Sequence, residues 1–172
     1  MPGKTDDELK IRSVAFSHGG YIPPRYTCEG EDVNPPLEIS DIPENTKSLA
    51  LIVEDPDAPR GTYDHWIVWN IPPHEAIKEN SHPGISGRNS FGNRGYGGPC
   101  PPSGSHRYFF KVYALDSNLD IQPGSDKKNL TGGNEGPCIG IRRIGGSLSK
   151  KEIVDRKTWS DNGEVTDLSH HF

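Results

Sequence analysis

Three apolar segments of strand length dominate the hydrophobic pattern of the chain. Residues 48–54, Ser-Leu-Ala-Leu-Ile-Val-Glu, form a nearly continuous apolar run, which is typical of a strand buried on both faces. Two further strands are predicted at residues 65–71 and 106–115, where side chains two residues apart share a face. In the first of these the shared face holds His65, Ile67, Trp69 and Ile71. In the second it holds His106, Tyr108, Phe110, Val112 and Ala114.

Turn-forming residues fill the chain between these segments. Residues 19–36 carry several Gly and Pro pairs, and residues 72–105 form a long stretch rich in Gly, Asn, Ser and Pro. Such a long loop is usually either functional or disordered, and its arginines and aromatic residues favour an ordered, functional one. A short strand is expected over residues 11–16, and helical patterns are almost absent before residue 125. We therefore predict an all-β fold, a sandwich or a barrel with few short helices.

The bulk composition narrows the class of protein. With 172 residues the chain is expected to form one domain, and 20 Gly and 16 Pro agree with short strands and many turns. A net charge of −5 argues against nucleic-acid binding. No stretch approaches the roughly 20 apolar residues of a membrane span. Because the first residues are polar and acidic rather than signal-like, we expect a cytoplasmic protein.

The three cysteines are too few for a disulfide framework. Cys28 and Cys100 both lie in loops rich in Gly and Pro, so the fold can bring them together. The alternative, which cytosolic redox conditions favour, is that all three are isolated, reduced thiols. No pair has the Cys-x-x-Cys spacing, so a thiolate zinc site is not expected.

The candidate chemistry lies where Pro-rich loops meet the predicted strands. Asp55 and Asp57 follow the buried strand in the stiff loop Asp-Pro-Asp-Ala-Pro, and His65 and His106 each begin a strand. Two histidines and two aspartates can therefore converge at one end of a sheet and form a small anion-binding pocket. The alternative for each residue alone is structural, with the aspartates capping a turn and each histidine buried in the core.

A carboxylate beside a histidine stabilises the imidazolium form and raises the pKa of the ring. Protonated His65 and His106 would each offer two N–H donors to phosphate oxygens. Backbone N–H groups near Gly98 are expected to add donors, and prolines and aromatic rings would exclude water from the site.

The motifs also carry a family resemblance. In sequence order, the segments Asp-Pro-Asp-Ala-Pro, His-Trp-Ile-Val-Trp-Asn-Ile-Pro and Gly-Pro-Cys-Pro-Pro-Ser-Gly-Ser-His-Arg-Tyr resemble the signatures of the phosphatidylethanolamine-binding protein family. They are most similar to its bacterial and archaeal, Raf-kinase-inhibitor-like branch. The resemblance implies an antiparallel β-sandwich over residues 11–130, with a pocket at one end for phosphate-like anions. The pocket residues that it implies are Asp55, Asp57, His65, Gly98, Pro99, His106 and Tyr108.

Three classes of function follow from these observations. The first is a non-enzymatic binding protein for a small anionic or phosphorylated ligand, such as a phospholipid head group, with no cofactor and no metal. The second, which the resemblance implies, is a protein-interaction module that inhibits a kinase or a protease through the pocket and residues 78–96. The third is a hydrolase that uses the histidines and aspartates for acid–base chemistry, although no nucleophile-elbow or phosphate-binding Gly-rich motif is present. A homodimer is also compatible with the sequence.

Both ends of the chain are expected to lie outside the family domain. Residues 1–10 are predicted to be a polar lead. From about residue 131 the resemblance stops, and residues 132–149 do not have the helix and closing strand that the family implies. Codons for this segment can be chosen that, read one base later, encode Glu-Ala-Met-Lys-Gly-His-Val-Leu-Ala-Ser-Ala-Glu-Leu-Val-Gly-Leu-Tyr, which has the family pattern. We therefore predict a frame shift near Thr131 and a poorly ordered, non-family tail over residues 131–172.

Overall fold

The structure is a computed structural model that describes residues 9–74, 76–100, 106–131, 141–142 and 151–153. Within these residues most of the regular structure is β-strand, with a 3₁₀ turn at Pro24–Tyr26 and one short helix. The elements are β1 (Lys10–Arg12), β2 (Leu37–Ser40), β3 (Ser48–Asp55), β4 (Tyr63–Ile71), β5 (Ala76–Ile77), β6 (Ile85–Ser86), β7 (His106–Leu115), α1 (Lys127–Thr131), β8 (Ile141–Arg142) and β9 (Lys151–Ile153).

The strands form two antiparallel sheets. The smaller sheet has the order β1-β2-β5, and the larger has the order β6-β4-β3-β7-β8, with β9 also pairing with β7. Strand β3 lies between β4 and β7, and every strand pairing is antiparallel. The prediction of an antiparallel β-sandwich with few short helices is confirmed.

The main core lies between the two sheets. The smaller sheet contributes Ile11, Leu37, Ile39 and Ile77, and the larger contributes a row of side chains from β3, β4 and β7. A second cluster covers the opposite face of the larger sheet, where Ile67 and Trp69 pack with Leu130 of α1. Burial of a large apolar side chain stabilises a fold by about 1.5–3 kcal/mol. Strand β3 contributes side chains to both clusters, so both of its faces stabilise the fold.

Two of the three strand predictions are confirmed in detail. Residues 48–53 of β3 are buried on both faces, as the continuous apolar run indicates. In β7 the side chains of Tyr108, Phe110, Val112 and Ala114 all enter the main core from one face. The partly buried residues alternate with them, so the period of two holds along most of that strand.

The predicted face of β4 is wrong, because two irregularities interrupt its period. Val53 pairs with Trp66 and Glu54 with Asp64, which leaves His65 as an extra residue. His65 therefore lies on the main-core side, against the ring of Tyr108, rather than beside Ile67 and Trp69. A β-bulge inserts one extra residue into a strand, so the alternation of side chains between the two faces is interrupted at that point.

The second irregularity moves Ile71 to the main core, although it was predicted to share a face with Trp69. Asn70 adopts the left-handed conformation with φ of 52°, which is more accessible to Asn than to most residues. Its side chain then exchanges two hydrogen bonds with the backbone of Leu119, at 3.0 and 2.7 Å, and these hold the bulge in place.

The boundaries at the two ends differ from the predicted ones. Strand β1 covers Lys10–Arg12 rather than residues 11–16, and Leu9 is fully buried, so the lead is shorter than the ten residues predicted. At the other end, β8 pairs with the last two residues of β7, and β9 pairs with its first three. The predicted poor order of the rest of the tail falls outside the described residues, and the frame shift stays a prediction.

Candidate functional site

The antiparallel arrangement of the larger sheet brings the candidate residues to one end. Asp55 ends β3, His106 begins the neighbouring strand β7, and Tyr63 begins β4 on the other side. Because neighbouring antiparallel strands run in opposite directions, the end of β3 lies beside the starts of β4 and β7. His65 is two residues into β4 and faces the same side, as a result of the bulge.

Asp55 and His106 form a buried pair. Their side chains are joined by a hydrogen bond of 2.6 Å between Nδ1 of His106 and Oδ2 of Asp55. The residues are 3% and 8% exposed, respectively, so water has little access to the pair. The other carboxylate oxygen of Asp55 accepts the backbone N–H of Asp57 at 2.8 Å, which fixes the plane of the carboxylate. Since the carboxylate accepts from Nδ1, Nε2 is the nitrogen left for a ligand.

His65 is oriented by a different partner. Its Nδ1 donates to the carbonyl oxygen of Gly97 at 2.8 Å, and the backbone N–H of Gly97 donates to the carbonyl oxygen of His65 at the same distance. Burial lowers the pKa of His65, and the opposing effects of the Gly97 and Gly98 carbonyls and Asp55 do not offset it. The expectation of a raised pKa for His65 is therefore wrong, because desolvation outweighs the effect of the nearby carboxylate.

Asp57 has a structural partner. Its carboxylate accepts the backbone N–H and the Nε–H of Arg107, both at 2.8 Å, and the Nη2–H at 2.7 Å. These hydrogen bonds to Arg107 lower the pKa of Asp57. Asp57 thus ties the loop after β3 to the start of β7 and is not among the residues that line the cavity described below.

Gly98 and Pro99 also lie beside the cavity rather than in its lining. The backbone N–H of Gly98 donates to Oδ1 of Asp32 at 2.7 Å, so this particular N–H is not available to an anion. The carbonyl oxygen of Pro99 accepts the N–H of Cys28 at 3.2 Å. A Cβ at position 98 would lie 2.4 Å from the carbonyl oxygen of Tyr26, so the close approach of these two segments requires glycine.

A cavity of about 370 Å³ brings the other candidates together. This volume falls within the range of roughly 300–1,000 Å³ that is usual for small-molecule sites. Four of the seven sequence-predicted residues line it, namely Asp55, His65, His106 and Tyr108. The remaining described lining residues are Ala58, Pro59, Arg60, Gly61, Thr62, Tyr63, Phe91 and Cys100.

Aromatic rings form one wall of the cavity. The ring of His65 contacts Tyr63, Phe91 and Tyr108, with centroid distances of 5.3, 5.4 and 5.3 Å. Burial, together with Asp55 and Asp57, raises the pKa of Tyr108, so its hydroxyl stays protonated. Phe91 is 42% exposed and packs edge-on against Tyr63. The site therefore combines polar groups with an apolar wall.

Sequence reasoning did not select Arg60, Tyr63 or Phe91 as site residues. Two signals point to them in retrospect. Arg60 directly follows the Asp-Pro-Asp-Ala-Pro loop, and Tyr63 lies two residues before His65, on the same side of the strand. Phe91 belongs to the long irregular stretch whose aromatic content favoured a functional loop, but its position at the cavity depends on contacts that the sequence pattern does not encode.

Cys28 and Cys100 form a disulfide. The interpretation of these two as isolated, reduced thiols is therefore wrong, and their juxtaposition, which the sequence left open, is confirmed. The bridge joins the loop after Tyr26 to the segment that follows Gly97, at the edge of the cavity. Residues 101–105, in the third signature segment, lie outside the described residues.

Among the described residues, no group of three or more His, Cys, Asp or Glu side chains has the arrangement of a metal site. In the same part of the chain, no helix has the length and apolar character needed to cross a bilayer.

Comparison with known proteins shows what this chain resembles. The model of the phosphatidylethanolamine-binding protein family matches residues 12–140, which extends past the limit at residue 130 predicted from the motifs. A UPF0098 protein of Pyrococcus abyssi is 48% identical over 162 residues, covering 88% of this chain and 90% of the relative. A UPF0098 protein of Chlamydia muridarum is 42% identical over 152 residues, covering 83% and 99%.

Two crystal structures share the fold. The phosphatidylethanolamine-binding protein homologue CT736 of Chlamydia trachomatis aligns with a TM-score of 0.73 and 38% identity, covering 86% of this chain and 95% of that one. Escherichia coli YbcL, described as a member of the mammalian family, aligns with a TM-score of 0.69 and 30% identity, covering 85% and 95%. The signature segments, the two-sheet fold and these similarities agree, and the chain belongs to the phosphatidylethanolamine-binding protein family.

Proposed function

We propose that this protein is a non-enzymatic binding protein whose cavity takes a small phosphate-like or phosphorylated anion. The observation that carries the proposal is the convergence of His65 and His106 on one cavity, each with its Nδ1 already anchored. A ring anchored in this way loses little rotational freedom when its other nitrogen meets a ligand, which favours binding.

The electrostatics of the cavity suit an anion. Protonated His106 would be held between the carboxylate of Asp55 on one side and a bound anion on the other, and each contact would be a charge-assisted hydrogen bond. Arg60 adds a permanent positive charge to the lining. His65, whose pKa is lowered by burial, would act in its neutral form and accept a hydrogen bond from a protonated phosphate oxygen through Nε2.

The apolar wall favours a phosphoryl group that carries an organic substituent. Inorganic phosphate has five heavy atoms and would leave much of a cavity of about 370 Å³ unfilled. Tyr63, Phe91 and Pro59 offer apolar surface to the remainder of a phosphate ester. A phospholipid head group and a free phosphorylated metabolite share this chemistry.

Isothermal titration calorimetry of the whole chain tests the proposal. The titrants are inorganic phosphate, O-phosphorylethanolamine, ethanolamine and vesicles with and without phosphatidylethanolamine. We expect both phosphates to bind and ethanolamine not to bind. Binding to the vesicles that contain phosphatidylethanolamine, and not to the others, would identify a lipid source. Failure of all phosphorylated titrants to bind would contradict the proposal.

The non-enzymatic part of the proposal rests on the state of the cysteine. Cys100 lines the cavity, but its sulfur is bonded to Cys28 and is not available as a thiolate nucleophile. The Asp55–His106 pair resembles the arrangement that orients a general base, so hydrolysis needs a direct assay. We expect no release of p-nitrophenol from p-nitrophenyl phosphate above the rate without protein, and turnover that His106→Ala abolishes would contradict this.

Inhibition of a kinase or a protease remains the second candidate function. The observation in its favour is Phe91, a large apolar side chain that is 42% exposed at the edge of the cavity and belongs to the expected contact segment, residues 78–96. Exposed aromatic residues are enriched at protein interfaces. Loss of inhibition of a kinase or protease panel in Phe91→Ala would favour this function, and absence of inhibition by the unchanged protein would contradict it.

The cytoplasmic location and the absence of nucleic-acid binding remain parts of the proposal. The disulfide weighs against a reducing compartment, because structural disulfides are rare in the cytosol of mesophiles. Cell fractionation tests the location.

Size-exclusion chromatography with light scattering tests whether the protein is a homodimer.

A further inference from the structure

The position of the Cys28–Cys100 disulfide makes it part of the cavity wall. Cys100 is among the lining residues, alongside His65 and His106. Cys28 and Cys100 are both exposed, and 72 residues separate them in sequence. A thiol in solution can therefore reach a bond that borders the candidate anion site.

The bridge also holds the segment that orients His65. Gly97, whose carbonyl oxygen accepts from Nδ1 of His65, precedes Cys100 by three residues. Three hydrogen bonds attach this segment to residues 26–32: Tyr96 Oη donates to the carbonyl oxygen of Tyr26 at 2.6 Å, Gly98 N–H to Oδ1 of Asp32 at 2.7 Å, and Cys28 N–H to the carbonyl oxygen of Pro99 at 3.2 Å. The disulfide is the covalent member of the same set of contacts.

We propose that Cys28–Cys100 is a thiol-exchange site and that opening it lowers the affinity of the cavity for its anion. This inference rests on the proposed function. The co-reactant is a dithiol. One of its thiolates attacks a sulfur of the bridge, the S–S bond breaks, and a mixed disulfide forms while the other cysteine leaves as a thiolate. The second thiol of the reductant then closes on the mixed disulfide, so two electrons reduce the protein to two thiols and the reductant becomes a cyclic disulfide.

The physical reason for the coupling is pre-organisation. With the bridge closed, the segment that holds Gly97 is fixed to the loop that carries Cys28, and the hydrogen bond from His65 to Gly97 then keeps the ring in one orientation before the ligand arrives. With the bridge open, that segment gains freedom that anion binding must remove again, which weakens affinity. Coupling between two sites is reciprocal, so a bound anion should also make the bridge harder to reduce.

The test uses the whole chain carrying Cys138→Ser, so that every thiol counted comes from the bridge. The protein is compared in its oxidised form, after reduction with dithiothreitol and removal of the reductant under argon, and as the Cys28→Ser/Cys100→Ser variant. Mass spectrometry after alkylation counts the thiols, and calorimetry gives the affinity for O-phosphorylethanolamine. We expect two thiols after reduction and an affinity about fivefold weaker in the reduced form and in the double variant, at the lower end of typical coupling.

Several results would overturn the inference. One is equal affinity in the three forms, and another is a bridge that resists dithiothreitol in the folded protein. A third is loss of the circular dichroism signal on reduction, which would mean that the bridge stabilises the whole fold. If the oxidised protein binds no phosphate, the proposed function fails, and the imidazole NMR signals of His65, assigned with His65→Gln, decide the inference separately. A change in these signals on reduction supports the coupling between the bridge and the His65 ring, and unchanged signals overturn it.

Discussion

Nδ1 of His106 lies 2.6 Å from Oδ2 of Asp55, and the two side chains belong to neighbouring strands. The pair links the end of β3 to the start of β7, and since it uses Nδ1 of the histidine, Nε2 is the ring nitrogen that can contact a ligand. The buried carboxylate of Asp55 accepts hydrogen bonds from His106 and from the N–H of Asp57. It therefore holds the ends of two neighbouring strands together and orients the His106 ring for contact with a ligand.

The lowered pKa of His65 predicts how stability depends on pH. The unfolded chain takes up a proton at this residue near pH 6.5, whereas the folded chain does so only at lower pH. Between these two values the unfolded state binds more protons, so the free energy of unfolding should fall as the pH drops through this window. Thermal denaturation from pH 7.5 to 5.0 should show a smaller loss of Tm in His65→Gln than in the unchanged protein.

The exposed His82 provides the matched control for this measurement, and His82→Gln should follow the unchanged protein. Parallel pH profiles for the unchanged protein and His65→Gln would mean that burial of His65 has no effect on proton uptake.

Asp57→Asn should lower stability through the loss of its contacts with Arg107. The carboxylate accepts three hydrogen bonds from that residue, and an amide can reproduce only part of this pattern. Because the Arg107 side chain is 41% exposed, solvent screens the pair, and we expect a loss of about 1 kcal/mol in urea denaturation. Asp41→Asn, which removes a more exposed pair with Lys10, should change stability much less, and equal losses in both variants would contradict this account.

Phe91→Ala should weaken binding of the organic part of a ligand and leave binding of its phosphoryl group nearly unchanged. The ring lines the cavity and contacts His65 and Tyr63 edge-on, but it is 42% exposed. We expect affinity for phenyl phosphate to fall about threefold to tenfold, since an aromatic contact contributes roughly 0.5–1.5 kcal/mol. Affinity for inorganic phosphate should stay within about twofold. Val14→Ala, at an exposed position away from the cavity, is the control, and equal losses for both ligands in Phe91→Ala would refute this role.

The tail prediction concerns the gene as well as the protein. If the reading frame shifts near Thr131, resequencing should recover the family pattern, and the protein from the restored frame should be more stable and aggregate less. Apart from the paired residues of β8 and β9, the segment 131–172 should be cut early in a proteolysis series, before the sandwich is cut. An undisturbed frame together with a protease-resistant tail would show that this prediction is wrong.

The sequence was most informative where a simple period or a rigid loop determined the position of a residue. The buried run of β3, the alternation of β7, and the Pro-rich loop after Asp55 placed Asp55, His106 and Tyr108 correctly at one end of the sheet. The face of His65 was predicted wrongly because a bulge breaks the period, and the bulge arises from pairing with a strand distant in sequence. Its lowered pKa was missed for a similar reason, since burial depends on the whole fold.

The hydrophobic pattern of the sequence also does not predict contacts between loops that are distant in the chain. The N–H of Gly98 donates to Asp32, which lies 66 positions earlier in the chain. The position of Phe91 depends on its packing against the rings of Tyr63 and His65 in β4. The disulfide was left open because cysteine spacing alone does not determine which loops meet.

The central claim, that the cavity binds a phosphoryl anion through His106, is tested most directly by calorimetry with O-phosphorylethanolamine. The unchanged protein, His106→Ala and the exposed control His82→Ala are compared at one pH and one salt concentration. A charge-assisted hydrogen bond contributes about 1.5–3 kcal/mol, so His106→Ala should bind at least about tenfold more weakly. His82→Ala should match the unchanged protein. Equal affinities for the unchanged protein and His106→Ala, with both variants folded by circular dichroism, would contradict the account.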